Sequence, residues 1–267
     1  MPIVAALGNK FLKEYHWREI RQVLSMEDSD FQIEEKKFTL GELIAFDVGD
    51  KQEEVVHIST TATQEDKLET ELRKIVQTWD EKEFNVIKHD KNANSNNIVY
   101  KLKDWDAIIM TLDDSLASIS DIQGSRYVKR LIDRVEETHN MLILVSDTIE
   151  QWKIFQRQWL YLKNIFGADG KSEINQKCSK EANDFSAVDK KYQSQMKKVF
   201  QRKIVKIHCT QSRLDEFLSN NRKLEEIQKK VEEYLDQKRA EFPRLYFISN
   251  DELLHLLSRD KIDEVEQ

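Results

Sequence analysis

A chain of 267 residues with 39% hydrophobic and 34% charged side chains can bury a substantial core, as one large domain or two smaller ones. Only six glycines and two prolines leave few tight turns, which argues against a many-stranded sheet and for long helices, while 12 Phe, 7 Tyr and 5 Trp mark a packed chain and not a disordered one. The net charge of −7, from 42 basic and 49 acidic residues interleaved along the sequence, supplies no one-sided basic field for nucleic acid or an anionic membrane.

The N-terminal MPIVAALGNK is apolar over too short a run for a signal peptide or a membrane span, and no other uncharged run approaches that length, so a soluble intracellular protein is expected. Leu12, Tyr15, Ile20, Val23 and Leu24 recur at helical intervals and predict an amphipathic helix over about 9–25 that carries His16 and Trp17. Thr39–Phe46 (TLGELIAF) predicts a short second helix, with Thr39 and Glu42 as its capping box. Between Gln52 and Trp79, Leu68, Leu72, Ile75 and Trp79 are spaced four, three and four, the interval of one helix face.

The period then changes. Phe84–Ile87 and Ile98–Leu102 are short β-prone runs around the polar DKNANSNN segment, predicting a β-hairpin over 84–102 with a long tip. Asp104 stands ready to cap the next helix, lined by Trp105, Ile108, Leu112 and Ile119. After Gly124-Ser125, Val128, Val135, Leu142 and Ile149 recur every seven residues, as do Leu131, Thr138, Val145, Trp152, Trp159 and Phe166. No Gly or Pro interrupts this heptad seam, so one helix of about forty residues, ~60 Å long at the helical rise, is expected over 126–166.

Gly167 and Gly170 lie in the candidate boundary segment Gly167–Lys177. The expected organisation is therefore 1–123 as N-terminal helices with the hairpin, 124–166 as a long connecting helix, and 167–267 as a C-terminal helical part. In that last part, Phe185, Val188, Tyr192, Met196 and Val199 predict one helix, and Leu214, Phe217, Leu224, Ile227, Val231 and Leu235 predict a second long one. Pro243 lacks an amide hydrogen and restricts Phe242, so the second helix should end there. The run Leu245–Ile248 then reads as an aromatic plug in a helix–bend–helix corner, with Ser249 and Glu252 as the capping box of the next helix. The fold class expected is mainly α: an elongated array of packed helices with one small hairpin.

Chemistry is sparse. The sequence has no GxxxxGK[ST] or GxGxxG phosphate loop, no HExxH, no GxSxG and no calcium loop. Asp113-Asp114 and Glu225-Glu226 are adjacent acids of the kind any solvated helix face carries. His16 and His139 read as core or boundary residues, and His208 beside Cys209 lacks the second pair a zinc site needs. Two isolated cysteines, Cys178 and Cys209, suit a reducing compartment. The basic stretch Lys197–Lys203 reads as a solvated helix end. Trp152 and Trp159, one heptad apart among Phe155, Tyr161, Leu162, Ile165 and Phe166, read as core and not as a ligand box.

Three segments, in order, resemble the linker region of dynein heavy chains. They are Tyr15-His16-Trp17 followed by TLGEL, then Trp152, Gln156, Trp159, Tyr161 and Phe166 within the long helix, and finally KRAEFPRLYFISNDELLHLLS. Lys163 and His255 depart from the family pattern, on faces expected to be solvated, and the last segment looks more axonemal than cytoplasmic. The resemblance implies a non-catalytic fragment of a motor heavy chain: a lever that bends and straightens across an AAA+ ring to produce the power stroke along microtubules. It implies no cofactor in this stretch, since ATP and magnesium would be bound by the ring. Partners would be ring modules of the same chain, with microtubules engaged only indirectly, no nucleic acid and no membrane, in a monomeric fragment of a ciliary or flagellar axoneme.

Residues expected to matter mechanically are Trp17, Trp152, Gln156, Trp159, Tyr161, Phe166, Gly167, Gly170, Phe242, Pro243, Arg244, Tyr246 and Phe247. The bend is expected near the long helix or the Gly167–Lys177 connection. Competing readings of the residues are a static spectrin-like scaffold or cytoskeletal adaptor, whose three-helix periodicity the hairpin interrupts, and a helical enzyme using paired carboxylates.

Overall fold

The computed structural model describes residues 2–24, 51–89, 98–166, 173–250 and 252–254; within them the chain is mainly helical with one two-stranded antiparallel sheet. The predicted helix Thr39–Phe46, the hairpin tip, Gly167, Gly170 and His255 lie outside the described residues. The elements group into two compact units: Met1–Gln77 with Leu116–His139, and Thr78–Ser115 with Asn140–Gln267.

In the first unit, the helix expected over 9–25 is α2 (Glu14–Leu24), which begins five residues later than expected, and a separate short helix, α1 (Pro2–Leu7), precedes it. Asn9 stands in the turn between them. Its side-chain oxygen accepts from the Phe11 amide at 3.1 Å, a local turn that competes with helix. Its amide donates to the Ser59 carbonyl at 2.9 Å and to the Thr63 hydroxyl at 2.8 Å on α3 (Gln52–Glu81). Helix α2 starts at Glu14, where His16 Nδ1 accepts from the Lys13 amide at 3.1 Å, as the glutamate of a capping box would. Ile3, Ala6, Ile20, Leu24, Val55 and Ile58 form the buried cluster, with Leu12, Trp17 and Val23 packed against it.

Beside that cluster lies a polar seam. Glu65 accepts from the Tyr15 hydroxyl at 2.7 Å and sits 3.2 Å from His16 Nε2, with Arg130 Nε 3.7 Å away. Burial is the main cause holding the His16 pKa down, against the pull of Glu65. The Arg130 guanidinium also lies 4.0 Å from the Tyr15 ring centroid, and Glu69 gathers Lys13 and Arg134.

Helix α4 (Trp105–Gly124) precedes α5 (Ile132–Phe166), which begins six residues later than the heptad reading placed it. Residues 125–131 instead make a turn and a short 3₁₀ segment, Val128–Arg130. The Ser125 hydroxyl accepts from the Tyr127 amide at 3.3 Å and the Leu131 amide donates to Val128 at 2.7 Å, so local bonds compete with the helix there. Within α5 the seam is buried as expected through Trp159, at Val135, Thr138, Leu142, Val145, Ile149, Trp152 and Trp159, while Phe166 at its end is half-buried. At 35 residues, α5 is about 50 Å long.

The second unit holds the sheet. Strands β1 (Asn85–Lys88) and β2 (Tyr100–Lys103) pair with Val86 opposite Leu102. Just before β1, Phe84 donates its amide to Lys203 and Val205 donates to Lys82, both at 2.8 Å, around an isolated Glu83–Ile204 bridge. Asp104 takes a left-handed φ of 57° and its carboxylate accepts from the Asn85 amide.

Helices α6 (Glu173–Lys177), α7 (Ser179–Gln201), α8 (Val205–His208) and α9 (Gln211–Glu241) follow. Helix α7 packs on both α9 and β2 and buries Phe185, Val188, Tyr192, Met196 and Val199, the face its spacing predicted. Thr210 caps α9, accepting from the Arg213 amide at 3.3 Å, and Lys238 and Arg239 in its last turn suit the helix dipole. The helix ends at Phe242 before Pro243, as expected, and a 3₁₀ turn covers Pro243–Phe247. Ser249 and Glu252 form the predicted capping box: the Ser249 amide donates to Glu252 Oε2 at 2.9 Å and the Glu252 amide to Ser249 Oγ at 3.3 Å.

The aromatic plug is corrected. Phe242, Tyr246 and Phe247 are 61%, 63% and 91% exposed, and only Leu245 and Ile248 are half-buried. Consecutive residues in a tight 3₁₀ turn point in diverging directions, so the run cannot turn all its rings inward as a helix face does.

Candidate functional site

The site that the structure builds around the predicted residues is a hydrogen-bonded aromatic hub on α5. Trp152, Gln156 and Trp159 stand at intervals of four and three, so all three project from one face. Both tryptophans are 0% exposed. An indole so buried needs a partner for its N–H, and each has one: Trp152 donates to the Tyr192 hydroxyl at 3.2 Å and Trp159 to Asp189 Oδ1 at 2.9 Å, both on α7.

Gln156 does something a hydrophobic residue could not. Its Nε2 donates to the Leu102 carbonyl at 2.9 Å while its Oε1 accepts from the Leu102 amide at 2.8 Å. The side-chain amide therefore pairs with β2 as a neighbouring strand would. The Tyr192 hydroxyl donates to the same Oε1 at 3.2 Å, so one glutamine joins the Trp152–Tyr192 pair to β2.

Around this line the rings interlock. Phe84 lies 5.2 Å and Phe217 4.9 Å from the Trp152 ring, and Tyr192 lies 4.9 Å from the Trp159 ring, centroid to centroid. Five elements thus meet on α5: the segment before β1, β2, α4 through Trp105, α7 and α9. Asn221 of α9 adds a bond to the Gln151 carbonyl at 3.1 Å. A second anchor closes the same unit, where Trp79 donates to the Ser115 hydroxyl at 3.0 Å.

Lys163 was expected on a solvated face. It is half-buried instead, and its ammonium sits 2.6 Å from Asp189 Oδ2, so it neutralises the carboxylate that holds Trp159. Asp189 was not foreseen. Its signal was its place four residues after Phe185 and one after Val188, an acid on an otherwise apolar face of α7.

The other predicted residues are dispersed. Trp17 packs half-buried on the core of the first unit, and Phe166 meets Phe185 with centroids 5.8 Å apart. Tyr161 lines a polar surface groove with Glu225, Gln228 and Glu232. Phe242, Pro243, Arg244, Tyr246 and Phe247 lie at the far end of α9, on the surface.

The hub's chemistry is that of packing. Burial pushes the Cys209 thiol up to about 12 and raises Cys178 as well, so both thiols behave as small core groups. Burial likewise raises the Tyr192 phenol and lowers His208, whose Nε2 donates to the Arg202 carbonyl. Among the described residues, no group of His, Cys, Asp and Glu is gathered so as to hold a metal ion, and no helix is long and apolar enough to cross a membrane.

Comparison with known proteins accounts for this pattern. The family model described as dynein heavy chain, N-terminal region 2, matches residues 1–267. The human dynein axonemal heavy chain 6 is 36% identical over 98% of this chain, and the human dynein axonemal heavy chain 10 is 33% identical over 96%. The dynein-1-alpha heavy chain of the flagellar inner arm I1 complex from Chlamydomonas reinhardtii is 32% identical over the whole of it. The chain spans 6% of the length of each of these relatives. With a buried hub built from the residues that carried the resemblance and a family match along the entire sequence, this chain belongs to the dynein heavy chain family, as its N-terminal region 2.

Proposed function

We propose that residues 1–267 serve as part of the linker lever of a dynein heavy chain, bending and straightening across the AAA+ ring to produce the power stroke. The observation that carries this reading is α5 itself: about 50 Å of unbroken helix, its seam buried and its centre clamped by Trp152, Gln156 and Trp159. A lever must transmit force without yielding, and a helix held on several sides by packed neighbours supplies that stiffness. On this reading the stretch hydrolyses nothing; ATP and magnesium are held by the ring of the intact chain. Its partners are ring modules of the same polypeptide, microtubules are engaged only through the rest of the motor, and its axonemal and flagellar relatives favour a ciliary or flagellar axoneme. The bend is assigned to α5 or the connection that follows it.

The test is made in the intact heavy chain. Glu150 is exposed on α5, so Glu150→Pro removes a helical hydrogen bond and kinks the rod with no loss of a buried side chain, while Glu150→Ala leaves it straight. The proline variant is expected to slow microtubule gliding while ATP turnover persists, and the alanine variant to glide normally. Gliding at full speed with a kinked α5 would reject the lever.

A further inference from the structure

The helix that carries Tyr15, His16 and Trp17 begins on a hydrogen bond that only one protonation state of histidine can make. His16 is 1% exposed, and its Nδ1 accepts from the Lys13 amide at 3.1 Å at the first turn of α2. An accepting ring nitrogen carries no proton, so the imidazole is neutral and its one N–H is on Nε2. That nitrogen lies 3.2 Å from Glu65 Oε2, an oxygen that already accepts from the Tyr15 hydroxyl at 2.7 Å. A second proton can enter only at Nδ1. Imidazolium has N–H on both sides and no free lone pair, so it sets a donor against a donor and leaves the Lys13 amide without its partner. Glu or Gln, the residues that usually make this bond, hold it through neutral and mildly acid pH; histidine makes it conditional.

The surroundings do not reward the extra charge. The charged groups facing His16 are Glu65 on α3, Glu19 on α2 and Arg130 from the 3₁₀ segment, with Glu69 one turn further along α3. Among the described residues each of these acids already has a cation: Arg130 reaches both Glu19 and Glu65, while Lys13, Arg73 and Arg134 of α5 meet Glu69. Burial outweighs the pull of Glu65 and Glu19 and holds the His16 pKa down. A ring freed from the cap titrates at about 6.5 and so takes the proton first; the cap is whole above that pH and weakens as the pH falls below it. We infer that His16 makes the start of α2 an acid-released latch, closed while the imidazole is neutral and open once the ring takes a second proton. Asn9 still ties the preceding turn to α3 through Ser59 and Thr63, so the release is local and the rest of the unit keeps its fold.

The experiment is amide hydrogen exchange of the purified intact heavy chain at about pH 7.5 and about pH 5.5, read by mass spectrometry and normalised to the intrinsic rate at each pH. One pH unit below about 6.5, a freed ring is protonated about ten times over, so protection of the Lys13 amide is expected to fall about tenfold between the two conditions. The Leu72 amide, deep in α3 of the same unit, is expected to keep its protection. His16→Gln, which accepts without titrating, should hold Lys13 at both pH values, and His16→Ala should expose it at both. Equal Lys13 protection at the two pH values in the wild-type chain overturns the inference. So does a fall that Leu72 shares, which is general acid unfolding, or a fall that survives in His16→Gln, which places the titrating group elsewhere. A second reading needs no variant: exchange at the His16 C2 hydrogen reports the ring's own titration. Its midpoint is expected below the ordinary histidine value, because a bond made only by the neutral ring must depress it; a midpoint at or above about 6.5 rejects the latch.

Discussion

Two aromatic regions of this molecule share a composition and have opposite fates. On α5, Trp152, Phe155 and Trp159 are fully withdrawn from water; on the turn after α9, Phe242, Tyr246 and Phe247 face it. Spacing makes the difference. At intervals of three and four on a long helix, bulky rings stack on one face and meet α7, α9 and the strand segment together. Packed as neighbours on a short 3₁₀ turn they diverge, and only part of the run can be buried. Aromatic content therefore says that a chain has rings to bury; periodicity says whether it buries them itself.

The sharpest way to break this contrast is Trp152→Ala. It removes a ring in contact with Phe84, Trp105 and Phe217 and leaves the Tyr192 hydroxyl without its donor, so about 3–5 kcal/mol of stability should be lost, read from the urea midpoint. Gln156→Leu comes next. It preserves bulk but strands both Leu102 backbone groups in a buried place, and should cost about 1–3 kcal/mol and abolish hydrogen-exchange protection of the Leu102 amide. A protected Leu102 amide in that variant would mean that another group can replace the glutamine. Smallest is Phe247→Ser, which changes a side chain that is 91% exposed and should move the midpoint of an isolated fragment by less than about 0.5 kcal/mol.

Much of the fold was legible because its long helices bury one face each. The positions predicted for α7 and α9 are the positions that are buried, and Pro243 ends α9 where its missing amide requires. The hairpin was readable from the switch to a period of two. What could not be read was set by side chains acting on backbone. Asn9 holds a turn where the first predicted helix was to begin, so that α2 starts at Glu14, and Ser125 delays the start of α5; each is a local hydrogen bond that a hydrophobic pattern does not record. The hub was half legible. Trp152 and Trp159 announced themselves as core and Gln156 as part of the family resemblance, but the partners Asp189, Tyr192 and Leu102 lie 30 to 54 residues away, and only folding pairs them. Lys163 shows the same limit, because a departure from the family pattern that looked like surface variation neutralises a buried acid.

The pairing of Gln156 with Leu102 bears on self-association. A lone hairpin has two open flanks, each an invitation to a stray strand from a neighbouring molecule. By occupying both outward-facing groups of Leu102 on β2, a single glutamine on a helix stoppers one flank, so the chain can keep a two-stranded ribbon without its becoming a seed for aggregation.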